Sequence, residues 1–398
     1  MQFYAFLFKQ GAILSVFGVI CEYNPFHNGH KYLLEQIKSD NNSVIAVMSG
    51  SFTQRGDVAI ADKFSRAETA VKYGADLVLE LPTVYACAPA ETFARGAVQV
   101  LRGTGVLDSL CFGSETDDTE LLKAAADIFE DERFKTELKA NMESGDYYPK
   151  AVEKAAETIH SQKLAKLLST PNNILAVEYL RALRGTDIGF KAVKRVGTNH
   201  DSNEVSGEYT SASNIRSIIK QGGSFSSFTP DYEITNPADF KNLERTVLYR
   251  MRTMNKDEIA ALPDVKEGLE NRIYDAVQTS GSLDELLDSV KTKRYTMSRL
   301  RRILVYALLG ITADLPQTDA PYIRVLAFNK KGAELMSHIK KRSSLPLITN
   351  VSDGYNSLDD NAKRIFDIDI RATDIFNLAT EKVGECKSDF TRKLKIED

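Results

Sequence analysis

Two histidines, His27 and His30, lie three residues apart with Gly29 between them, where an apolar run ends and a helical pattern begins. The start of a helix offers unpaired backbone amides and the positive end of the helix dipole, which together suit phosphate. A glycine lets the backbone approach a ligand closely, and two imidazoles can neutralise charge that develops on a phosphoryl group. The pattern predicts attack of an oxygen nucleophile on an α-phosphate, with pyrophosphate as the leaving group.

Two other interpretations of this histidine pair are open. A lone histidine beside a turn is usually a hydrogen-bonded structural residue, but His-x-Gly-His at a strand-to-helix junction favours phosphate chemistry. A zinc site would need a third ligand and a fourth position, and no nearby residue supplies one convincingly. The sequence therefore predicts no metal that is held by protein side chains.

A serine-rich segment, Ser211-Ala212-Ser213-Asn214-Ile215-Arg216, opens a second helical pattern. Hydroxyls and amides at a helix start can hold β- and γ-phosphates, and Arg216 would add positive charge. An ordinary helix N-cap is the alternative interpretation.

Strand patterns alternate with helical patterns through the first half of the chain. Helical spacing separates four apolar runs, at residues 13–22, 43–48, 76–81 and 109–112. This order predicts an α/β fold with a Rossmann-like parallel sheet and right-handed crossovers. Ligands bind such sheets at the carboxyl ends of the strands, and His27, Arg55 and Glu115 all follow predicted strand ends.

The pattern changes after Gly222-Gly223, where a Gly/Ser-rich stretch begins. The residues that follow are mainly helical, except for a strand–helix–strand pattern at 322–350. The sequence predicts an α/β domain over 13–222 and a mainly helical domain over 223–398. Residues 1–12 are interpreted as an N-terminal extension from an upstream start.

Composition excludes several classes of protein. The 398 residues are 43% hydrophobic and carry 51 basic and 55 acidic side chains, which is a globular balance with a net charge of −4. Any binding of nucleic acid must therefore come from local basic patches. The four cysteines lie far apart and form no CxxC pair, which favours a reducing cytoplasm over a disulfide framework.

One such patch is the segment KTKRYTMSRLRR, with six basic residues and no acidic one. Its basic side chains are candidates for contacts with a nucleic-acid backbone: Lys291, Lys293, Arg294, Arg299, Arg301 and Arg302. Lys330-Lys331 and Lys340-Lys341-Arg342 are further basic clusters. A solvated helix face is the alternative for the main segment.

Seven stretches carry a resemblance to a known family: GVICEYNPFHNGH, VMSGSFTQRGDVAIADKFSR, GADLVLELPTVYA, FARGAV, FGSE, PNNIL and SASNIR. They run in order from residue 18 to 216 and resemble the bacterial tRNA(Met) cytidine acetate ligases, relatives of the His-x-Gly-His nucleotidyltransferases. The resemblance implies a ligase that activates acetate with ATP as acetyl-adenylate. It then acetylates N4 of the wobble cytidine (C34) of elongator tRNA(Met), releasing AMP and pyrophosphate, with Mg²⁺ arriving on ATP.

The resemblance also implies the residues of the site. His27 and His30 would be catalytic. The ATP site would comprise Ile20, Cys21, Glu22, Tyr23, Asn24, Pro25, Phe26, His27, Asn28, Gly29, His30, Lys31, Tyr32 and Leu33, completed by Gly113, Ser114, Asn172, Asn173, Arg195, Ser211, Ser213 and Arg216. A helix cap is the alternative for Asn173, and a surface salt bridge is the alternative for Arg195.

A third polar group contains Arg55 together with Lys63 and Arg66, which share a helix face. These side chains could hold acetate, phosphate or the tRNA backbone, or they could form a solvated face paired with Asp57 and Asp62. A structural ion-pair network is the favoured interpretation of a further set of charged residues: Glu80, Glu91 and Arg95.

Two rival functions remain at this stage. An adenylyltransferase that acts on a small phosphorylated metabolite would share His27, His30 and Ser213 but would not need the basic segment. A non-catalytic RNA-binding protein would be expected to have lost the motif, yet both histidines and Gly29 are intact.

Overall fold

The strands form one mixed sheet. The computed structural model describes residues 15–38, 40–196, 205–230, 233–266, 268–394 and 396–397, so the predicted extension at 1–12 lies outside the described residues. Eight described strands join in the order β5-β4-β1-β2-β3-β6-β7, with β8 paired to β6. Their bounds are β1 Val16–Cys21, β2 Ser43–Ser49, β3 Leu77–Leu81, β4 Ser109–Ser114, β5 Gly189–Lys194, β6 Ile323–Asn329, β7 Leu347–Ile348 and β8 Ile396–Glu397.

The first five strands confirm the predicted Rossmann-like sheet. β1 pairs in parallel with β2 and with β4, β2 pairs in parallel with β3, and β4 with β5. The strand order 3-2-1-4-5 reverses between β1 and β4, and ligands of open α/β sheets bind at such a reversal, beyond the carboxyl ends of the strands. The residues after β1 and β4 are therefore the place to look for a site.

The C-terminal part of the chain extends this same sheet. β6 runs antiparallel to β3, with Leu77 opposite Phe328, and β7 and β8 run parallel to β6. The strand–helix–strand pattern predicted at 322–350 is confirmed. The division of the chain into two domains near residue 222 stays a prediction. Strands from both sides of that position belong to the one sheet.

Helices surround the sheet and connect its strands. In the first half they are α1 Asn28–Lys38, α2 Lys63–Lys72, α3 Thr83–Ala86, α4 Ala90–Gly103, α5 Thr119–Asp127, α6 Glu132–Glu143, α7 Tyr148–Ile159, α8 Gln162–Leu168, α9 Pro171–Ala182 and α10 Ala212–Lys220. In the second half they are α11 Glu244–Thr253, α12 Lys256–Ala260, α13 Leu269–Thr279, α14 Leu283–Val290, α15 Met297–Leu309, α16 Lys330–Arg342, α17 Val351–Asn356, α18 Asp360–Ala379 and α19 Ser388–Thr391. Within the described residues, every helix is too short or too polar to cross a membrane.

The sheet is covered on both faces, as its near-continuous apolar strands require. Alternate residues of β2 divide between two cores: Ile45 and Val47 enter the larger one, whereas Val44, Ala46 and Met48 enter the smaller one. The smaller core is completed by apolar side chains of α1 and α2. These two helices are thereby fixed against one face, with their N-termini at the carboxyl end of the strands.

A buried ion-pair network joins the two halves of the chain. Lys63 Nζ lies 2.8 Å from Glu80 Oε1 and 2.8 Å from Asp389 Oδ1. Arg324 Nη1 lies 2.9 Å from Glu80 Oε2, and its Nη2 lies 2.5 Å from Asp389 Oδ1. All four side chains are at most 2% exposed, so removal of one partner would leave an uncompensated buried charge. Nearby, burial and the Glu80 carboxylate raise the pKa of Asp369 to about 7.

The loop after β2 packs directly against the start of α15. Gly56 has a φ of +73°, and a Cβ there would lie 2.4 Å from the backbone nitrogen of Arg302. The Arg302 guanidinium in turn donates to Asp264 Oδ2 at 3.0 and 2.9 Å. Glycine is required at this contact both for its backbone conformation and for the close approach.

Substitution of Gly56 tests this contact, and Gly185 is a matched control. Gly185 has a φ of +71° with no atom near the Cβ position. Gly185→Ala should therefore lower the free energy of unfolding by only about 1–2 kcal/mol, the usual cost of a left-handed backbone. Gly56→Ala should cost about 1–3 kcal/mol more, because the loop must move off α15. Equal losses in urea denaturation would contradict the docking of this loop on α15.

Candidate active site

The two histidines stand where β1 passes into α1. The connecting turn buries Tyr23 and Phe26, whose rings lie 4.9 and 5.7 Å from the His30 ring, centroid to centroid. The imidazoles of His27 and His30 stack with centroids 3.7 Å apart and planes inclined by 23°. Gly29 makes this arrangement possible, because a Cβ there would lie 3.0 Å from Cε1 of His27.

Backbone hydrogen bonds define the tautomer of both rings. The Gly29 amide donates to His27 Nδ1 at 3.1 Å, and the His27 amide donates to His30 Nδ1 at 3.3 Å. Since each Nδ1 accepts, the neutral imidazole carries its proton on Nε2. The structural interpretation and the phosphate interpretation are thus compatible, because the bonds that hold the rings use Nδ1 and place the proton of each neutral ring on Nε2.

The serine-rich segment lies beside this turn. Arg216 Nη1 donates to the Asn24 carbonyl at 2.7 Å, which joins α10 to the residues after β1. Ser211 is the N-cap of α10, since its Oγ accepts from the Asn214 amide at 3.1 Å, and Ser213 Oγ lies 2.8 Å from Ser211 Oγ. The N-cap interpretation is confirmed for Ser211. The structure also brings the start of α10 to the same strand end as the histidines.

Asn28 holds the segments on either side of α10 against the start of α1. Its backbone amide donates to the Phe228 carbonyl at 2.9 Å. Its side-chain Nδ2 donates to the carbonyls of Glu208 at 3.0 Å and Ser227 at 3.1 Å. This role could not be predicted, because the partners lie about 180 to 200 residues along the chain and no local pattern indicates them.

A second group of predicted residues gathers after β4 and β5. The Arg195 amide donates to the Ser114 carbonyl at 3.0 Å. Glu115, which was not among the predicted ligands, connects the two asparagines: its amide donates to Asn173 Oδ1 at 2.9 Å and its Oε1 accepts from Asn172 Nδ2 at 2.5 Å. Because β1 and β4 are neighbours in the sheet, this group adjoins the histidine turn.

Two alternatives for this second group are wrong. Asn173 does not cap α9, whose N-cap is Thr170, because the Asn173 side chain is used by Glu115. Arg195 forms no ion pair within 4 Å with any residue that the structure describes, and its Nε is buried without a partner there. Burial lowers the pKa of Arg195, against the opposing effect of Glu115.

Lys63 and Arg66 are not surface residues, which corrects both interpretations of their shared helix face. Lys63 belongs to the buried ion-pair network, and Arg66 is fully buried. Arg66 Nη1 donates to the carbonyls of Glu22 at 2.5 Å and Ser49 at 3.1 Å, so it cannot reach a tRNA backbone. Spacing places two charges on one face but does not say whether that face meets solvent or the sheet. Arg55 is exposed, as its prediction requires.

The prediction of structural ion pairs is confirmed for Glu80 and for Glu91 but not for Arg95, and the three residues do not form one network. Glu91 Oε1 lies 3.5 Å from Arg181 Nη2, whereas Arg95 donates to the carbonyls of Pro316 and Thr318. The three charged residues belong to separate groups.

The basic segment is divided between surface and interior. Lys291, Lys293 and Arg294 are exposed. Arg301 is half-exposed and lies 3.8 Å from Asp57 Oδ2. Two other side chains hold the loop around Asp264: Arg299 donates to the Asp264 carbonyl at 2.9 and 2.6 Å, and Arg302 is buried against the Asp264 carboxylate. The prediction of a tRNA contact is therefore wrong for Arg302, because its charge is already neutralised inside the protein.

No group of three His, Cys, Asp or Glu side chains in the described part of the chain is placed to hold a metal ion. The four cysteines are free thiols, of which only Cys386 is exposed.

Comparison with known proteins gives consistent matches. The model of the HIGH nucleotidyl transferase family matches residues 14–390. The tRNA(Met) cytidine acetate ligase of Acetivibrio thermocellus is 40% identical, with 96% of this chain and all of the relative covered. The ligase of the same name from Thermoanaerobacter sp. strain X514 is 41% identical, with 96% and 99% covered.

Solved structures of Thermotoga maritima TmcAL are also similar. The apo form has a TM-score of 0.90 and 33% identity, covering 96% of this chain and 99% of that one. The form bound with alpha-thio ATP has a TM-score of 0.87 and 32% identity, covering 95% and 98%.

Replacement of Asn28 tests whether α10 helps to hold a triphosphate. Asn28→Ala removes two side-chain hydrogen bonds that fix the flanks of α10, each worth about 1 kcal/mol. Affinity for ATP should fall about tenfold, whereas affinity for AMP should change little, as measured by titration calorimetry. Asn242→Ala is the control, because Asn242 donates to the Ala379 carbonyl at 2.8 Å far along the chain from this turn. Equal weakening of ATP and AMP would contradict the assignment.

Proposed function

The chain belongs to the HIGH nucleotidyl transferase family and, within it, to the tRNA(Met) cytidine acetate ligases, and we propose that it acetylates N4 of the wobble cytidine of elongator tRNA(Met) at the expense of ATP. The observation that carries this proposal is the His27–His30 pair. Both rings have Nδ1 held by backbone amides, and both stand at the start of α1, where the sheet order reverses.

In the first step an acetate oxygen attacks the α-phosphorus of ATP. The P–O bond to the β-phosphate breaks, so acetyl-adenylate forms and pyrophosphate leaves. The Nε2–H groups of His27 and His30 supply donors for the charge that develops on the phosphoryl oxygens. Ser213 and Arg216 at the start of α10 would hold the outer phosphates, with Mg²⁺ arriving on ATP. Binding and charge stabilisation are sufficient here, so no protein nucleophile is required.

The rest of the ATP molecule would lie toward the group after β4 and β5. Gly113 and Ser114 end β4. Asn172 and Asn173 are joined to that end through Glu115, and Arg195 is joined to it through the Ser114 carbonyl. The side chain of Ser114 is fully buried and donates to the Thr116 carbonyl, so it is the backbone of Gly113 and Ser114 that an adenosine would contact.

In the second step N4 of cytidine attacks the acetyl carbonyl and AMP leaves. The base must leave its stack to reach the adenylate. The exposed basic side chains Lys291, Lys293 and Arg294, together with Arg301 and Arg55, support a tRNA surface beside the loop after β2. In this proposal residues 13–222 carry the ATP chemistry, residues 223–398 help to hold tRNA, and the reaction takes place in the cytoplasm.

Incubation with ATP, labelled acetate and bulk tRNA tests the function directly. His30→Ala should lower acetate-dependent pyrophosphate release about 10²- to 10³-fold, because one preorganised donor is lost. ATP affinity should change far less. Adenylylation of a phosphorylated metabolite, with tRNA left unlabelled, would favour the rival adenylyltransferase. Near wild-type release by His30→Ala would contradict the role of His30.

Charge reversal tests the tRNA surface. The double variant Lys291→Glu, Lys293→Glu should weaken tRNA binding and flatten its log–log salt dependence by roughly one unit for each lost phosphate contact. Acetate-dependent pyrophosphate release should remain, since these residues lie outside the ATP site. Lys340→Glu, Lys341→Glu makes the same charge change on the exposed end of α16 and is the control. A larger effect from the control pair would move the tRNA surface to α16.

A further inference from the structure

Acetyl transfer needs a group that accepts a proton. The exocyclic amine of cytidine becomes acidic as its nitrogen bonds to the acetyl carbon, and one N–H proton must leave. The two histidines are unsuited to this task. Their Nδ1 atoms already accept backbone amides, and their Nε2 atoms carry the protons that serve the first step.

Glu22 is the carboxylate closest in sequence to the histidine turn, directly after the end of β1. Its side chain is half-buried. Oε1 accepts the Gln54 amide at 2.7 Å, whereas Oε2 accepts no hydrogen bond from any described residue. One oxygen is therefore anchored and the other is available to a substrate, which is the arrangement that a general base requires.

The surroundings of Glu22 adjust its basicity. Burial raises the pKa of Glu22, and the Gln54 amide and three guanidinium groups act in the opposite direction: Arg216 on α10, Arg55 in the loop after β2 and Arg66 on α2. Other titratable groups that face it are the thiols of Cys21 and Cys87 and the phenol of Tyr179. Because burial prevails, the carboxylate is more basic than one in water.

Glu22 also lies between the two predicted binding surfaces. On one side, the Asn24 carbonyl accepts a hydrogen bond from the Arg216 guanidinium of α10, the helix proposed to hold the outer phosphates. On the other side, Gln54 belongs to the loop that packs against α15, and its carbonyl lies 3.5 Å from Arg302 Nη1. Through these neighbours Glu22 is connected both to the helix proposed to hold the outer phosphates and to the loop that contacts the basic segment.

We propose that Glu22 is the general base of acetyl transfer, an assignment that rests on the proposed function. The N4 lone pair forms the bond to the acetyl carbon, and the free Glu22 oxygen takes the N4 proton. The C–O bond to the adenylate phosphate then breaks, and its electron pair leaves with AMP. The proton passes from Glu22 to solvent.

The test is Glu22→Gln, which retains an oxygen for the Gln54 amide but cannot accept a proton. Single-turnover transfer from enzyme-bound acetyl-adenylate to tRNA should fall about 10²-fold or more. Acetate-dependent ATP–pyrophosphate exchange should also fall, but by a factor at least about ten times smaller than the factor lost in transfer. In the wild-type enzyme the transfer rate should rise with pH as the carboxylate ionises and then level off, and this rise should be absent in the variant.

Two further variants complete the experiment. Asp57→Asn removes a carboxylate from the same loop, where it pairs with Arg301, and should leave the pH profile of transfer unchanged. Glu22→Asp keeps a carboxylate that can ionise, but the shorter side chain moves its oxygens away from the substrate. Transfer by this variant should therefore be slow yet still rise with pH. If Glu22→Gln does not fold, Glu22→Asp tests the role of Glu22. Equal losses in transfer and exchange, or an unaltered pH rise, would overturn the role of Glu22 alone. Unlabelled tRNA with the wild-type enzyme would overturn both the function and this role.

Discussion

The Arg66 guanidinium, fully buried, is the constraint on which the site depends. Strands of a parallel sheet end with carbonyl groups that have no further strand partner, and those groups need donors if they are buried. Arg66 supplies them. It donates to the carbonyls of Glu22, Ser49, Gly50 and Ala61, so a single side chain fixes the residues after β1 and those after β2. The turn that carries the histidines and the loop that contacts Glu22 begin from these fixed points.

The buried ion-pair network around Lys63 likewise fixes the next strand of the sheet, β3. Lys63 stands three residues before Arg66 on α2, and both point into the protein. Its ion pairs with Glu80 and Asp389, and those of Arg324, connect β3 to β6 and to the C-terminal α19. A buried network of this kind contributes little net stability compared with apolar packing. It does specify which segments meet, and here it connects the C-terminal segment to β3 and to the helix that carries Arg66.

Sequence patterns predicted correctly those features, such as strands and turns, that depend on residues close together in the sequence. The four apolar runs predicted β1 to β4 of the five strands in the parallel part of the sheet, and the glycine between two histidines indicated a strand-to-helix turn. The failures have a common reason. Lys63, Arg66 and Arg302 were interpreted as exposed because basic side chains usually are. Their partners, such as Glu80, Asp389 and Asp264, come from distant segments, and spacing along one helix carries no information about them.

The same reasoning explains why the sequence predicts Glu22 only as a member of the ATP site and not as a base. Within its sequence it is one polar residue between a strand and a turn, and its significance comes from Gln54, Arg55, Arg66 and Arg216. The two steps of the proposed reaction require opposite properties, hydrogen-bond donation and proton acceptance, at one strand end. The first needs donors for a phosphoryl group, and the second needs an acceptor for an amine proton. Backbone amides at Nδ1 commit the histidines to donation. The acceptor must then be a separate group, and a half-buried carboxylate with one oxygen anchored meets that requirement without disturbing the histidines.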